Sequence, residues 1–207
     1  MTLRLKVLDL CGNSLCDTGV KVLSAGLRHS NCKLDTLKLA SCKLTMKCCE
    51  ALATVLCSDS SNLRVLELSD NDLHDSGMKL LSTGLWNPHC KLETLSMDRC
   101  SLTMRSSQVL ASVFSRDPSQ LRKLDLSNND LEDSGVKLLC FGLGNQHCKL
   151  ETLRVTEGGC VALDSALCLN PSHLRDLDLS YNNPGDLGLK LLTARLEDPK
   201  CKLEKLK

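Results

Sequence analysis

The chain has 207 residues, of which 42% are hydrophobic and 2% aromatic, so it is long enough to bury a core filled mainly by aliphatic side chains. A formal net charge of +1 excludes a strong overall field toward nucleic acid or an anionic membrane, and no stretch approaches the ~20 consecutive apolar residues that span a bilayer. Fourteen cysteines without an apolar signal-peptide segment favour free thiols in a reducing, cytoplasmic compartment over a secreted disulfide framework.

One pattern, Leu-x-x-Leu-x-Leu-x-x-(Asn or Cys)-x-Leu, recurs along most of the chain and predicts leucine-rich repeats. The repeats begin 29 residues apart, with one step of 24, at Leu5, Leu34, Leu63, Leu92, Leu121, Leu150, Leu174 and Leu203. The ninth position alternates between two residue types, so the underlying unit is two repeats long: Asn13, Cys42, Asn71, Cys100, Asn129 and Asn182. We expect a single domain over residues 1–207, with about seven repeats and a partial one.

Each repeat is predicted to be a short strand followed by a helix. Between residues 121 and 126, leucines point to one side of a strand, while Lys123 and Asp125 point to the other. The ninth residue, such as Asn129 or more weakly Cys100, is predicted to bond backbone groups where the strand ends.

The helices are predicted from apolar stripes at helical spacing, such as Val20/Leu23/Leu27 in the first repeat and Leu189/Leu192/Leu196 in a late one. Predicted N-caps precede these stripes at Asp17, Asp75, Asp133 and Asp186 in one repeat type, and at Thr45 and Thr103 in the other.

Parallel strands that each return through a helix predict an α/β fold, a leucine-rich repeat horseshoe. In this right-handed βα solenoid the parallel sheet forms the concave face and the helices form the convex face. The pattern is irregular at residues 156–173, where Gly158 takes the ninth position, and a tolerated deletion is favoured there over a binding loop. Because the chain begins near a strand and ends inside one, we expect a fragment without terminal caps whose apolar ends self-associate.

The phrase Cys-Lys-Leu-(Asp or Glu)-Thr-Leu occurs at residues 32–37, 90–95 and 148–153. Together with the alternating Asn and Cys repeats, it resembles ribonuclease inhibitor and, more closely, the C-terminal repeats of vertebrate NOD-like receptors. The resemblance covers nearly the whole chain. It implies a ligand-sensing or autoinhibitory segment of a cytosolic innate immune receptor, preceded there by a signalling domain and a nucleotide-binding domain.

Neither preceding domain is present in the sequence, and no Gly-x-x-x-x-Gly-Lys-(Ser or Thr) stretch occurs, so we expect no nucleotide cofactor in this chain. The missing nucleotide-binding domain is itself a candidate partner. A free-standing, tight-binding protein like ribonuclease inhibitor is the alternative, but it would require an acidic, aromatic-rich concave face, and this face is neither.

Residues that could bind a metal or catalyse a reaction are not predicted to lie close together. The pairs His89-Cys90 and His147-Cys148 recur at repeat spacing, but a zinc site needs four convergent ligands, and these cysteines are predicted to fill one small structural slot. No Gly-x-Ser-x-Gly or His-Glu-x-x-His motif occurs. We therefore expect a non-enzyme without catalytic, cofactor-binding or metal-binding residues.

Two rows of charges alternate in sign along the repeats. The second-position row is Lys6, Asp35, Arg64, Glu93, Arg122, Glu151, Arg175 and Glu204. The fifth-position row is Asp9, Lys38, Glu67, Ser96, Asp125, Arg154, Asp178 and Lys207. The alternation favours cross-strand ion pairs that fix register, and it leaves open a charge-patterned docking surface.

The candidate protein-binding residues on the concave face are Lys38, Glu67, Lys123, Asp125, Arg154, Asp176, Asp178 and Tyr181. Trp86 follows a helix and is expected off this face. Because hot spots are rich in Trp, Tyr and Arg, we predict weak, salt-sensitive binding centred on Arg154, Asp178 and Tyr181.

Overall fold

The structure is a computed structural model that describes residues 5–116, 119–156, 173–180 and 185–207. It divides into two compact units, Met1–Ser101 and Leu102–Lys207. The first unit contains β1 (Val7–Asp9), α1 (Cys16–Leu27), β2 (Thr36–Lys38), α2 (Met46–Leu56), β3 (Val65–Glu67), α3 (His74–Leu85) and β4 (Thr94–Ser96). The second contains α4 (Met104–Phe114), β5 (Lys123–Asp125), α5 (Glu132–Leu143), β6 (Thr152–Arg154), β7 (Asp176–Asp178), α6 (Gly185–Glu197) and β8 (Lys205–Leu206).

The strands of each unit pair in parallel and in chain order. In the first unit the central leucines align, Leu8 with Leu37, Leu37 with Leu66 and Leu66 with Leu95. The second unit repeats this register from β5 to β8. Because leucine returns at the same repeat position, the strands β2 to β4 and β5 to β7 each bury a leucine at their centre. The predicted leucine-rich repeat fold is therefore confirmed.

The helices bury the predicted apolar stripes against their neighbours. Helix α2 packs against both α1 and α3, and α4 packs against α5. Val20 of α1 and Met78 of α3 are fully buried. The stripe predicted for α6 is wrong at its end, because Leu192 is buried whereas Leu196 is 43% exposed. Within the described ranges, no helix packs against α6 to cover this leucine.

The ninth-position residues bond the backbone as predicted. Asn71 Oδ1 accepts from the backbone N–H groups of Cys42 and Leu44, both at 3.0 Å, and its amide donates to the carbonyl of Leu68 at 2.8 Å. Cys100 also donates to the Leu68 carbonyl, at 3.3 Å through its weaker S–H group. Asn71 therefore joins two consecutive repeats and satisfies buried groups in both.

The helix N-caps match the prediction in one repeat type only. Thr45 and Thr103 are N-caps whose hydroxyls accept from the N–H two residues on, at 3.3 Å. The predicted aspartate caps are wrong because α1 already begins at Cys16, which has a φ of 56°, and Asp17 therefore lies inside the first turn. The same offset places three more aspartates inside α3, α5 and α6: Asp75, Asp133 and Asp186.

The carboxylate of Asp17 serves the next repeat instead of its own helix. It accepts from the Thr45 backbone N–H at 2.8 Å and from the Thr45 hydroxyl at 2.7 Å.

Among the described helices, none combines the length and the apolar composition that crossing a bilayer would need. The irregularity predicted at residues 156–173 falls almost wholly outside the described residues.

Candidate protein-binding surface

The exposed face of each unit consists of the side chains at the third and fifth repeat positions. In β2, Thr36 and Lys38 are half-buried and flank Leu37, which is fully buried. Strand β3 repeats this arrangement with Val65 and Glu67. Since side chains alternate along a strand and neighbouring strands are in register, third-position and fifth-position residues form two rows across the strands of each unit.

Acidic residues at the fifth position accept hydrogen bonds from the backbone directly after their own strands. The carboxylates of Glu67, Asp125 and Asp178 accept from the backbone N–H two residues on, at 2.8, 3.0 and 3.0 Å. The donors are all serines: Ser69, Ser127 and Ser180. This structural role was not predicted from the sequence, although the recurring spacing acid-Leu-Ser could have indicated it.

In the second unit, the fifth-position row is a connected ion-pair network. The guanidinium of Arg154 lies 3.4 Å from Asp125 and 4.0 Å from Asp178, and Asp178 also lies 3.7 Å from Lys207 Nζ. The structure thus brings together three of the predicted binding residues, but it engages their charges with one another.

The electrostatics of Asp178 follow from this network. Burial alone would raise the pKa of Asp178, but hydrogen bonds from the Ser180 side chain and backbone, with the charges of Lys207 and Arg154, lower it below its ordinary value. The carboxylate is therefore ionised at neutral pH and holds both the turn and the cations beside it.

The third-position row of the second unit also contains an ion pair. Asp176 of β7 lies 3.6 Å from Lys205 Nζ of β8. Lys205 was not among the predicted binding residues, although its place in the register could have identified it. Lys123 is exposed at the other end of this row and has no ion-pair partner among the described residues.

In the first unit, Lys38 lies 3.3 Å from Asp9 on the neighbouring strand. Hydrogen bonds from the Cys11 side chain and backbone, followed by one from Lys38, lower the pKa of Asp9. Glu67 aligns with Lys38 on its other side, yet within the described part of the chain its carboxylate has no cation within ion-pair distance. Glu67 and Lys123 are therefore the predicted residues whose charges are uncompensated.

The second-position row forms ion pairs between adjacent strands, which confirms the cross-strand interpretation of its alternating signs. The partners are Lys6 with Asp35 at 3.9 Å, Arg64 with Glu93, Arg122 with Glu151 at 3.4 Å and Arg175 with Glu204 at 2.5 Å. Each such exposed pair contributes about 0.2–1 kcal/mol.

The aromatic residues contribute little to the described face. Tyr181, the predicted aromatic contact, lies outside the described residues. Trp86 is the C-cap of α3 and is 46% exposed, so it lies at the end of a helix as expected. His89 pairs with Asp59 at 3.2 Å. Among the described side chains, His, Cys, Asp and Glu do not gather in groups of three or more that could hold a metal ion.

Comparison with known proteins gives relatives of two kinds. A family model described as Leucine Rich repeat matches residues 59–82, 119–140 and 170–192. Human "NACHT, LRR and PYD domains-containing protein 12" is 43% identical over 205 residues, which cover 97% of this chain and 19% of the relative. Mouse "Ribonuclease inhibitor" is 41% identical over 203 residues, which cover 96% of this chain and 44% of the relative.

A bovine relative, "NACHT, LRR and PYD domains-containing protein 3", is 42% identical over 99% of this chain. The chain thus spans about a fifth of the length of the NACHT-containing relatives and less than half of the ribonuclease inhibitor. In both kinds of relative, the similarity extends over nearly all of the present sequence.

Proposed function

Because the chain is a leucine-rich repeat region of the ribonuclease-inhibitor-like type, we propose that it is a protein-interaction domain of a cytosolic NOD-like innate immune receptor, with a ligand-sensing or autoinhibitory role. Its partner binds the exposed face of the sheet. A nucleotide-binding domain of the same full-length protein is the candidate for the autoinhibitory contact, because the relatives are named for a NACHT domain beside their repeats.

The observation that carries this proposal is the alignment of partly exposed side chains into rows across neighbouring strands. Thr36, Val65 and Thr94 are half-buried and in register across three strands of the first unit. Such rows offer shape and hydrogen-bonding groups over an extended area rather than a concave pocket for a small molecule.

The paired charges hold the face in one conformation before a partner arrives. Arg154 is fixed between two carboxylates, so binding costs less side-chain entropy there than at a free arginine. Lys123 and Glu67 retain uncompensated charge and are the residues on which we expect a partner's charges to act.

The alternative is a tight inhibitor, which the similarity to mouse ribonuclease inhibitor supports. A basic enzyme would require an excess of unpaired acidic groups on the exposed face. In the described part of this face, Asp9, Asp125, Asp176 and Asp178 are each paired with a lysine or arginine of a neighbouring strand. This compensation favours the receptor proposal over the inhibitor.

Calorimetric titration tests the proposal with two probes, the NACHT domain of the human relative and a basic pancreatic-type ribonuclease. We expect weak, salt-sensitive binding of the NACHT domain, reduced about tenfold by the double substitution Lys123→Glu and Glu67→Gln. Glutamine keeps an acceptor for the Ser69 N–H, so the turn after β3 is preserved.

The matched control is Lys47→Glu with Glu50→Gln, which makes the same charge changes at exposed positions of α2. This control should bind like the unmodified chain. Equal loss in both double variants would contradict an interaction through the exposed face. Nanomolar, salt-insensitive binding of the ribonuclease, unaffected by Tyr181→Ala, would support the inhibitor alternative instead.

A further inference from the structure

An apolar groove lies between β1, α1 and the segment that joins α1 to β2. It has a volume of about 390 Å³, and leucine side chains form much of its wall: Leu5, Leu8, Leu23, Leu27 and Leu34. Leu5 is 46% exposed, and Leu8 and Leu23 are half-buried. Their counterparts two repeats later are at most 2% exposed: Leu63, Leu66 and Leu81. The groove therefore leaves open an apolar layer that the later repeat buries.

The later helices show what covers this position. Repeats with cysteine at the ninth position are called Cys-type and those with asparagine Asn-type. The Asn-type helices α3 and α5 each pack on the Cys-type helix before them, α2 and α4. A Cβ atom at Gly84 would lie 2.9 Å from Ala53 Cα, and one at Gly142 would lie 2.7 Å from Ala111 Cα. Gly26 occupies the same slot of the Asn-type helix α1, but a Cβ there would meet no atom within 4 Å. Helix α1 thus has the surface that contacts a Cys-type helix.

Asn13 lacks the hydrogen bonds that its counterpart makes to the preceding repeat. Asn71 Oδ1 accepts from the backbone N–H groups of Cys42 and Leu44, which belong to the Cys-type repeat before it. The Asn13 amide donates to two carbonyls of its own repeat, at 2.8 and 3.3 Å. Among the described residues, no group donates to Asn13 Oδ1. This oxygen is therefore available to the same two N–H groups of another Cys-type repeat.

Leu5, Leu8, Asn13, Leu23 and Gly26 are called the β1–α1 socket. We propose that a Cys-type leucine-rich repeat directly preceding β1 in the full-length protein fills this socket. Its strand would extend the sheet beside β1, its leucines would cover the apolar layer, and its helix would place a small residue against Gly26. This chain covers 19% of the human NACHT-containing relative, so proteins of that kind are long enough to include such a repeat.

A second copy of this chain matches the β1–α1 socket less well. Within the described residues, its Cys-type helices α2 and α4 are already covered by α3 and α5. Helix α6 belongs to an Asn-type repeat, whose ninth residue is Asn182. A separate Cys-type repeat, by contrast, offers the N–H groups for Asn13 and the small helical residue for Gly26 at once.

The test uses the full chain with a copy of residues 34–62, one complete Cys-type repeat, inserted directly before Leu5. Residues 34–62 lead into Leu63 in the chain itself, so the insertion keeps the repeat spacing. In this extended chain we expect the backbone amides of α1 to exchange hydrogen at least about tenfold more slowly, as measured by mass spectrometry. A control insertion carries Ala53→Leu in the copied repeat. It should slow the exchange less, because a large side chain would meet Gly26.

Substitutions in the β1–α1 socket give a second measurement. In the unmodified chain Gly26→Ala should raise the urea midpoint of unfolding, because alanine favours the helix. In the extended chain the same substitution should lower the midpoint by about 0.5 M, because the added Cβ would meet the copied Ala53. Asn13→Ala should lower the midpoint more in the extended chain than in the unmodified one. The control is Lys21→Ala, which should shift both chains equally, since Lys21 and its counterpart Lys79 are both exposed.

Three outcomes would overturn the proposal. The first is unchanged exchange of the α1 amides after insertion of the Cys-type repeat. The second is a Gly26→Ala variant that raises the urea midpoint in both chains alike. The third is protection of α1 in the unmodified chain that rises with protein concentration to the level of the extended chain, which would make a second copy the occupant. Because Lys123 and Glu67 are untouched here, failure of this site leaves the test of the exposed face independent.

Discussion

Gly84 provides the sharpest test of how closely the helices approach each other. A Cβ atom at Gly84 of α3 would lie 2.8 Å from Leu56 Cβ, and 2.9 Å from both the Cα and the carbonyl oxygen of Ala53. The Ala53 atoms belong to the backbone of α2, so they cannot turn away as a flexible side chain could. Gly26, in the same slot of α1, has no atom within 4 Å of such a Cβ.

The magnitude follows from two opposing effects. Overpacking a tight contact costs about 1–3 kcal/mol, while replacing glycine by alanine inside a helix gains about 1 kcal/mol. Since two of the close contacts are with backbone atoms, α2 and α3 must move apart, and the cost lies in the upper part of this range, about 2–3 kcal/mol. After subtraction of the gain, we expect Gly84→Ala to destabilise the chain by about 1–2 kcal/mol. Gly26→Ala keeps only the favourable effect and should stabilise by about 0.5–1 kcal/mol.

Urea unfolding followed by circular dichroism measures both changes through the midpoint and slope of the transition. The chemical change is identical in the two variants, so effects on the unfolded chain are shared. Gly142→Ala repeats the experiment in the second unit, where the Ala111 Cα and carbonyl oxygen lie 2.7 Å from the added Cβ. If Gly84→Ala were as stabilising as Gly26→Ala, the close packing of α2 on α3 would be refuted.

Three further predictions concern the hydrogen bonds of the ninth-position residues, the ion-pair network and the thiols. Asn71→Ala should lower the free energy of unfolding in urea by at least about 3 kcal/mol, because it leaves several buried backbone groups unpaired. Asn13→Ala, at an exposed position, should lower it by under about 1 kcal/mol, and equal losses in the two variants would contradict a stabilising role for the buried asparagine. The folded-state pKa of Asp178 is lowered, so its stabilisation is present above the ordinary value of 3.8 and is lost as the pH falls through the folded value. Asp178→Asn should therefore reduce the loss of unfolding free energy as the pH falls below neutral, and should cost about 0.2–1 kcal/mol at neutral pH. An unchanged dependence of the unfolding free energy on acidic pH would rule this out. Cys140 is buried with its pKa raised to about 12, so it should alkylate far more slowly than exposed Cys16, and mass spectrometry that found several intramolecular disulfides without reductant would argue against a cytoplasmic protein.

Much of the fold could be predicted because one residue type marks the repeat. A leucine at each strand centre fixes the strand, its buried side and its register, as Leu37 and Leu66 illustrate. The start of each helix could not be predicted so well. Cys16, His74 and Glu132 begin their helices with φ values of 56°, and neither cysteine nor glutamate has a preference for this left-handed conformation that would indicate it. The aspartates that follow them therefore looked like caps.

The candidate site could be predicted as a set of positions but not as a set of partners. Alternating charge shows that Lys38 lies between two acidic residues, yet the sequence cannot show that it pairs with Asp9 rather than Glu67. The same limit applies to Asp178, whose carboxylate also closes a turn. Side-chain conformation decides these choices, and it depends on local backbone geometry that repeat spacing leaves open.

Uncompensated and paired charges of the exposed face should contribute differently to the kinetics of one binding event. Uncompensated charge acts at a distance and raises the association rate, whereas paired, fixed groups act only after contact and slow dissociation. For a protein that binds the exposed face of the second unit, we therefore expect Lys123→Gln to lower the association rate, and the loss to disappear at high salt. Arg154→Gln removes a residue held between Asp125 and Asp178, so it should mainly raise the dissociation rate. Surface plasmon resonance at two salt concentrations separates the two rates, and a purely dissociative effect of Lys123→Gln would contradict a steering role for this lysine.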